Sequence, residues 1–221
     1  MNKYFLTDDQ LAIQDAIRRF CAERIVPRAR EIDETDEFPH DIFRGLGELG
    51  FMGASSSADV GGAGLDLVSI CIVLEEISKA SGAVGSSYNA HIGLASTVLA
   101  EHGSPAQQRQ YLPDLTSGRK IGAFGLTEPS GGSNAADPKT TAVRRGDYFH
   151  INGSKAFNTN GWVADTFVIT ARTTNGVTAF VLERGMPGFT IGKPDRKMGV
   201  HGSPTSTLYF DDVIVPLENM I

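Results

Sequence analysis

At about Lys120 the apolar residues of this chain change period, and that shift constrains the fold more than any single motif. Before it, apolar residues recur every three or four positions, the spacing of helices packed by one face. Thr7 or Asp8 can cap a helix that sets Ile13, Ile17, Phe20 and Arg24 on one side and stops near Pro27. "DIFRGLGELG" repeats the pattern through Ile42, Phe43, Leu46 and Leu49 and ends at Gly50. "LDLVSICIVLEEISKAS" is apolar on almost every side through Leu74, which predicts a centrally buried helix with a wetter end at Glu75, Glu76 and Lys79. "AVGSSYNAHIGLASTVLAEHG" predicts a second apolar helix, and Ser104-Pro105 opens another that stops near Gly118. After Lys120 the segments shorten into strands. "KIGAFGL" and "STLYFDDVIVP" read as two of them. Asn152-Gly153 and Asn175-Gly176 each sit between strand-like runs, the signature of a two-residue hairpin. The expected fold is α+β: an all-α N-terminal domain over residues 1–119, then an antiparallel β-sandwich or barrel domain over 120–221.

Charge and composition narrow the partners. Twenty basic residues against twenty-six acidic ones give a net charge of -6, which disfavours nucleic acid. No apolar run reaches the roughly 18 residues of a membrane span, and "MNKYFLTDDQ" has no apolar leader core. Cys21 and Cys71 have no CxxC or His-rich company and read as two buried, reduced thiols, which points to a reducing, cytosol-like compartment.

The obvious catalytic patterns are absent. There is no GxSxG elbow, no HExxH and no metal-spaced cluster. "DVGGAGLD" follows no strand and lacks a P-loop lysine, so it reads as a flexible loop between helices. His91 and His102 lie about three helical turns apart, too far to share a ligand, and read as packing or surface residues. "FGLTEPSGGSN" is more informative. Gly131 and Gly132 let backbone N–H groups approach an anion, Ser133 adds a hydroxyl, and Thr127 can meet the polar edge of a flat ring. Further on, Phe157 and Thr159 share one side of a strand, an aromatic face beside a hydroxyl. These residues fit a flat-ligand site, with core packing and turns as the commoner alternative for such a pattern.

"AFGLTEPSGGSN", "YFHINGSKAFNTNGWVADTFVITART" and "KMGVHGSPTSTLYFDDVIVPLEN", in that order and spacing, resemble the acyl-CoA dehydrogenase family. "LTDDQLAIQDAIRRF" and "SSADVGGAGLD" extend the resemblance over essentially the whole chain. It implies FAD bound without a dinucleotide-binding fold. The segment Phe124, Gly125, Leu126, Thr127, Glu128, Pro129, Ser130, Gly131, Gly132 and Ser133 would wrap the flavin. By the same resemblance Ser133 would serve the pyrophosphate and lie beside the acyl-CoA chain, and Phe157, Asn158 and Thr159 would pack against the ring near N5. Three positions depart from the family pattern: Phe157 for tryptophan, Asn134 for aspartate and His201 for arginine.

The implied reaction is α,β-dehydrogenation of an acyl-CoA, with a glutamate base on a C-terminal helical bundle that would follow "VPLENMI". No catalytic residue is therefore expected here, and Glu128 belongs to the flavin-wrapping turn. The resemblance further implies an electron-transfer flavoprotein as acceptor, a homotetramer, and a cytoplasmic location (the mitochondrial matrix if eukaryotic). Without the bundle, weak FAD binding and exposed apolar surface are expected. A flavin oxidase or monooxygenase of the same fold, or a non-catalytic half-protein needing a partner chain, are the other readings.

Overall fold

The computed structural model describes residues 5–221. The beginning of "MNKYFLTDDQ", read above for a leader, lies outside the described residues. Helix α1 (Asp8–Phe20) opens on a capping box: the Thr7 hydroxyl accepts from the Gln10 N–H, and the Gln10 side chain accepts from the Thr7 N–H at 3.1 Å. Ile17 and Phe20 are buried on its inner face, while Arg24 is exposed. Pro27 does not stop the helical path. A π turn (Cys21–Ile25) and a 3-10 turn (Val26–Arg28) lead directly into α2 (Ala29–Thr35), because Pro27 falls in the first turn of the new segment, where a missing N–H costs nothing. The stop comes at Asp36, whose φ is 55°.

Helix α3 (His40–Glu48) buries Ile42, Phe43 and Leu46, and Gly50 at φ 79° turns the chain away from it. Helix α4 (Leu67–Ala80) is capped by Asp66, which accepts from the N–H groups of Val68 and Ser69. It is not buried all round. Ile72, Val73 and Ile77 face the core, but Leu67 is 75% exposed and Val68 and Cys71 are also on the surface. Only one of the two thiols is therefore buried, Cys21, and desolvation pushes its pKa up to about 11. Helix α5 (Gly82–Asn89) continues through a π turn (Ala90–Ser96) into α6 (Thr97–His102). Helix α7 (Pro105–Thr116) has the expected Ser104 cap and N-terminal proline. No helix among the described residues is long and apolar enough to cross a membrane.

The second half forms one curled sheet of seven strands: β1 (Gly122–Gly125), β2 (Thr141–Arg145), β3 (Tyr148–Thr159), β4 (Thr166–Thr173), β5 (Gly176–Glu183), β6 (Phe189–Ile191) and β7 (Thr205–Pro216). The order is β1-β4-β2-β3-β7-β6, with β5 on the other edge of β4. Pairing is mostly antiparallel, but β1 and β2 both run parallel to β4, so the sheet is mixed. Of the two hairpin signals, the one at Asn175-Gly176 gives a hairpin one residue earlier than expected: Thr173 pairs with Gly176, the first residue of β5, and the two-residue tip is Thr174-Asn175. Asn152-Gly153 does not. Strand β3 runs through it, and Gly153 at φ 140° sits beside a bulge in β7, where two residues, Asp211 and Asp212, oppose Asn152 alone. The reversal between β2 and β3 comes earlier, at Gly146-Asp147, with Gly146 at φ 63°.

Helices and sheet share their core. One apolar cluster joins Ile17, Phe43 and Tyr88 to Phe167, Phe180 and Leu208, and a smaller one joins Leu99 and Leu115 to Val168 and Val181. One topological fact positions the site. β5 occupies one edge of β4 along its whole length, so β1 and β2 follow one another on the opposite edge. Residues 126–140 are therefore an excursion that leaves the sheet and returns to the same edge.

Candidate functional site

The excursion begins with a tight turn. The Glu128 N–H donates to the Gly131 carbonyl at 3.0 Å and the Gly131 N–H donates back to the Glu128 carbonyl at 2.9 Å, with Pro129-Ser130 at the tip. Gly131 has φ 145°, a conformation that side chains resist. A Cβ on Gly132 would lie 2.8 Å from the Thr127 hydroxyl, so the backbone doubles back closely there. Beyond the turn, Ser130, Gly131, Gly132, Ser133, Asn134 and Lys139 line an open concavity of about 330 Å³ with Asp137.

The excursion is anchored from inside by an ion pair. Lys155, on β3, is fully buried, and Glu128 is 4% exposed. The Lys155 ammonium donates to Glu128 Oε1 at 2.9 Å, to the Leu126 carbonyl at 3.1 Å and to the Thr170 hydroxyl at 3.2 Å. Glu128 also accepts from the backbone N–H groups of Thr140 and Lys139. Burial by itself would raise the Glu128 pKa. The bonds from Lys155, Thr140 and Lys139 outweigh it and hold the group down to about 2. Desolvation pulls Lys155 below its ordinary value, and its carboxylate partner opposes that.

Because the folded pKa of Glu128 lies below its ordinary 4.5, its contribution to stability is complete above pH 4.5 and fades as pH falls toward 2. Acid denaturation followed by circular dichroism should show that loss in the unaltered chain. Glu128→Gln should be less stable at neutral pH and flatter across the same window. Lys155 was invisible to the sequence reading. It keeps the parity of Phe149 and Ile151 on the inner face, but a lysine on a strand reads as solvent-facing because an ammonium is rarely buried without a partner, and its partner is 27 positions away.

Above the pair lies a cavity of about 280 Å³ lined by Ala90, Leu94, Phe124, Leu126, Thr127, Ala156, Phe157 and Thr159. It joins the two segments picked out from the sequence, and the Ala156 N–H bonds the Thr127 carbonyl at 2.7 Å between them. Phe157 is 71% exposed at φ 57°, on a second bulge where Lys155 pairs with Leu208 and Asn158 with Ser206. Bulky residues rarely hold a left-handed conformation, and such strain concentrates at functional sites. Asn158 points inward instead. Its amide donates to the Lys155 and Ser206 carbonyls at 2.9 and 2.8 Å and spans the bulge.

Ala90 and Leu94 come from the π turn, which the sequence reading had passed over. Its placement depends on His91, whose Nδ1 accepts from the Gly122 N–H at 2.9 Å and whose Nε2 donates to the Leu115 carbonyl at 3.1 Å. Burial lowers the His91 pKa to about 4, so the ring is neutral and structural. His102 is exposed beside Glu101. His201 donates from Nε2 to the Lys197 carbonyl, and its Nδ1 lies 3.5 Å from Asp33. The glycine-rich stretch after Asp59 is a loop pinned by backbone bonds from Ala63, Gly64 and Leu65 to Gly53, Ser56 and Ala54. Among the described residues no group of His, Cys, Asp and Glu could hold a metal ion.

The site therefore offers an apolar slot with one aromatic wall and two hydroxyls, followed along the chain by an open run of glycine and serine. That combination suits a flat heterocycle with a phosphate tail. At Gly132 a Cβ would press on the Thr127 side chain, and at Gly131 the space beside the backbone is open.

The family model for the N-terminal domain of acyl-CoA dehydrogenases matches residues 7–119, and that for the middle domain matches 123–213. The short-chain specific acyl-CoA dehydrogenase of Clostridium acetobutylicum is 46% identical over 221 residues, which cover 98% of this chain and 58% of that protein. A structure of the electron transferring flavoprotein of Acidaminococcus fermentans superposes with a TM-score of 0.94 at 40% identity, covering 100% of this chain and 59% of that one. The acyl-CoA dehydrogenase of Bacillus anthracis complexed with FAD superposes at 0.93 with 33% identity, covering 100% and 38%. The chain thus spans little more than half the length of the curated relatives it matches.

Proposed function

The chain belongs to the acyl-CoA dehydrogenase family, and on that premise we propose that it forms the flavin- and thioester-binding part of an FAD-dependent acyl-CoA dehydrogenase. The observation that carries this reading is the single cavity into which Thr127, Phe157 and Thr159 converge from two separate segments. Its two domains join near residue 119.

Phe157 offers a face for the isoalloxazine, and Thr127 and Thr159 offer hydroxyls to its polar edge and reactive side. Gly131, Gly132 and Ser133 present small, open backbone to the pyrophosphate, with Ser133 next to the acyl-CoA chain. When bound, FAD supplies the acceptor for the β-hydride. The residues of this chain hold and orient it, and the apolar lining of Ala90, Leu94 and Leu126 excludes water from the reacting carbons. Removal of the α-proton needs a carboxylate near neutral pKa. None lines the cavity among the described residues, and Glu128 is spent on Lys155, Lys139 and Thr140. The family resemblance implies a base on a C-terminal helical segment, in a homotetrameric, cytoplasmic enzyme that passes electrons to an electron-transfer flavoprotein.

The test is FAD titration, then an acyl-CoA panel with an artificial electron acceptor. It would be run on the chain alone and co-expressed with the C-terminal helices of a longer relative. Saturable FAD binding, with dehydrogenation only in the co-expressed form, is the expected result. Absence of FAD binding in both forms would overturn the reading. Phe157→Ala should weaken FAD binding about tenfold, the scale of one lost aromatic contact of about 1.4 kcal/mol. Equilibrium quenching of flavin fluorescence would measure it.

A further inference from the structure

We propose that Lys155 and Glu128 are positioning residues for the cofactor, a buried clamp that aims the 126–140 excursion into the ring cavity. This rests on the reading that the cavity takes the flavin. The clamp reaches every part of the excursion that matters. Lys155 holds its first residue through the Leu126 carbonyl and its third through the Glu128 carboxylate, and bonds Thr170 on β4. Glu128 in turn accepts from Lys139 and Thr140, where the excursion rejoins the sheet. One carboxylate thus gathers the entrance and the exit of a long loop, and one ammonium ties that gathering point to two strands.

What hangs from the clamp is the candidate binding surface. Leu126 and Thr127, directly beside the held carbonyl, line the ring cavity. Ser130 to Asn134 line the outer concavity between the two gathered ends. Neither clamp residue lines either cavity, so neither acts on the flavin by contact. The pair is also costly to keep. Two buried charges are often no more stabilising than apolar residues of similar size, whereas removing one partner strands the other. Precise placement of the loop is the role that distinguishes a charged clamp with five bonds from an apolar plug.

The test compares Lys155→Met, Glu128→Gln and Thr170→Val with the unaltered chain in three measurements. These are hydrogen exchange of the Lys139, Thr140 and Ala156 amides without cofactor, FAD affinity, and the visible spectrum of the bound flavin. Thr170→Val keeps the ion pair and removes one acceptor at 3.2 Å, so it serves if the charge variants fail to fold. Loss of one hydrogen bond to a charged group should weaken FAD binding about tenfold in Lys155→Met or Glu128→Gln, and a few-fold in Thr170→Val. Exchange at the three amides should rise while the β4–β5 amides stay protected, and the flavin band should shift.

A purely structural pair would lower the unfolding midpoint but leave affinity and spectrum of the folded fraction unchanged, and that result would overturn the proposal. Unchanged exchange at Lys139, Thr140 and Ala156 in all three variants would also overturn it, even where FAD binds. Failure of the unaltered chain to take FAD, alone or co-expressed, would instead overturn the reading of the cavity, and the cofactor role with it.

Discussion

Replacing His91 by leucine is expected to destabilise the fold by about 1–3 kcal/mol, although His91 touches no proposed ligand. The imidazole fills two obligations at once: it accepts from the Gly122 N–H and donates to the Leu115 carbonyl, and it is fully buried. Leucine fills the volume and leaves the Gly122 N–H without its acceptor, at roughly 1–3 kcal/mol, while the Leu115 carbonyl keeps the Gly118 N–H at 3.0 Å. The same residue confers a pH dependence. Its folded pKa of about 4 lies below the ordinary 6.5, so the unfolded chain binds the extra proton between those values. The contribution is therefore complete above pH 6.5 and is lost as pH falls toward 4, at up to about 1.4 kcal/mol per unit. Urea unfolding at several pH values should show that slope in the unaltered chain. A variant that kept it would assign the slope to another group.

Gly153→Ala is expected to cost about 3–5 kcal/mol, whereas Gly176→Ala should cost about 1. Both glycines follow an asparagine and both have positive φ, 140° and 123°. They differ in surroundings. A Cβ on Gly153 would meet the Thr140 Cα at 2.7 Å, where the excursion rejoins the sheet, while nothing lies within 4 Å of one on Gly176. Thermal unfolding of the two variants side by side measures the difference. Equal costs would mean that the bulge adapts and that Thr140 is not pressed against β3. Gly153→Ala should also weaken FAD binding, since it pushes on the residue that Glu128 holds.

These two glycines show how far the sequence could be read. The caps at Thr7 and Ser104 were legible because donor and acceptor lie three residues apart. The Asn175-Gly176 hairpin was legible for the same reason: Thr173 needs only Gly176 to close it. Asn152-Gly153 carried the same signal and runs on within β3 opposite a bulge in β7, because the outcome depended on Thr140 and on the register of β7. Pro27 likewise read as a stop and proved to be the first turn of a new segment. The even apolarity of α4 predicted full burial, yet Leu67 and Val68 stand exposed. Apolar character alone does not say which face finds a partner.

The site divides along the same line. Residue type and order singled out Thr127, Gly131, Gly132, Ser133, Phe157 and Thr159 as candidates, and the chain folds Thr127, Phe157 and Thr159 into one cavity. Asn158, grouped with them by adjacency, turns its amide inward to bridge the bulge.

By itself, then, the sequence determined the helix-then-sheet order, the helix caps and one hairpin, and it singled out the residues of the proposed flavin site. Each depends on neighbours a few positions apart, whose geometry the backbone sets locally. The tertiary structure alone decided that β1 and β2 share one edge of β4, that Lys155 lies buried against Glu128, and that Ala90 and Leu94 complete the cavity. Those contacts join residues 27 or more positions apart in sequence, and they form only when burial of the shared core brings the segments together.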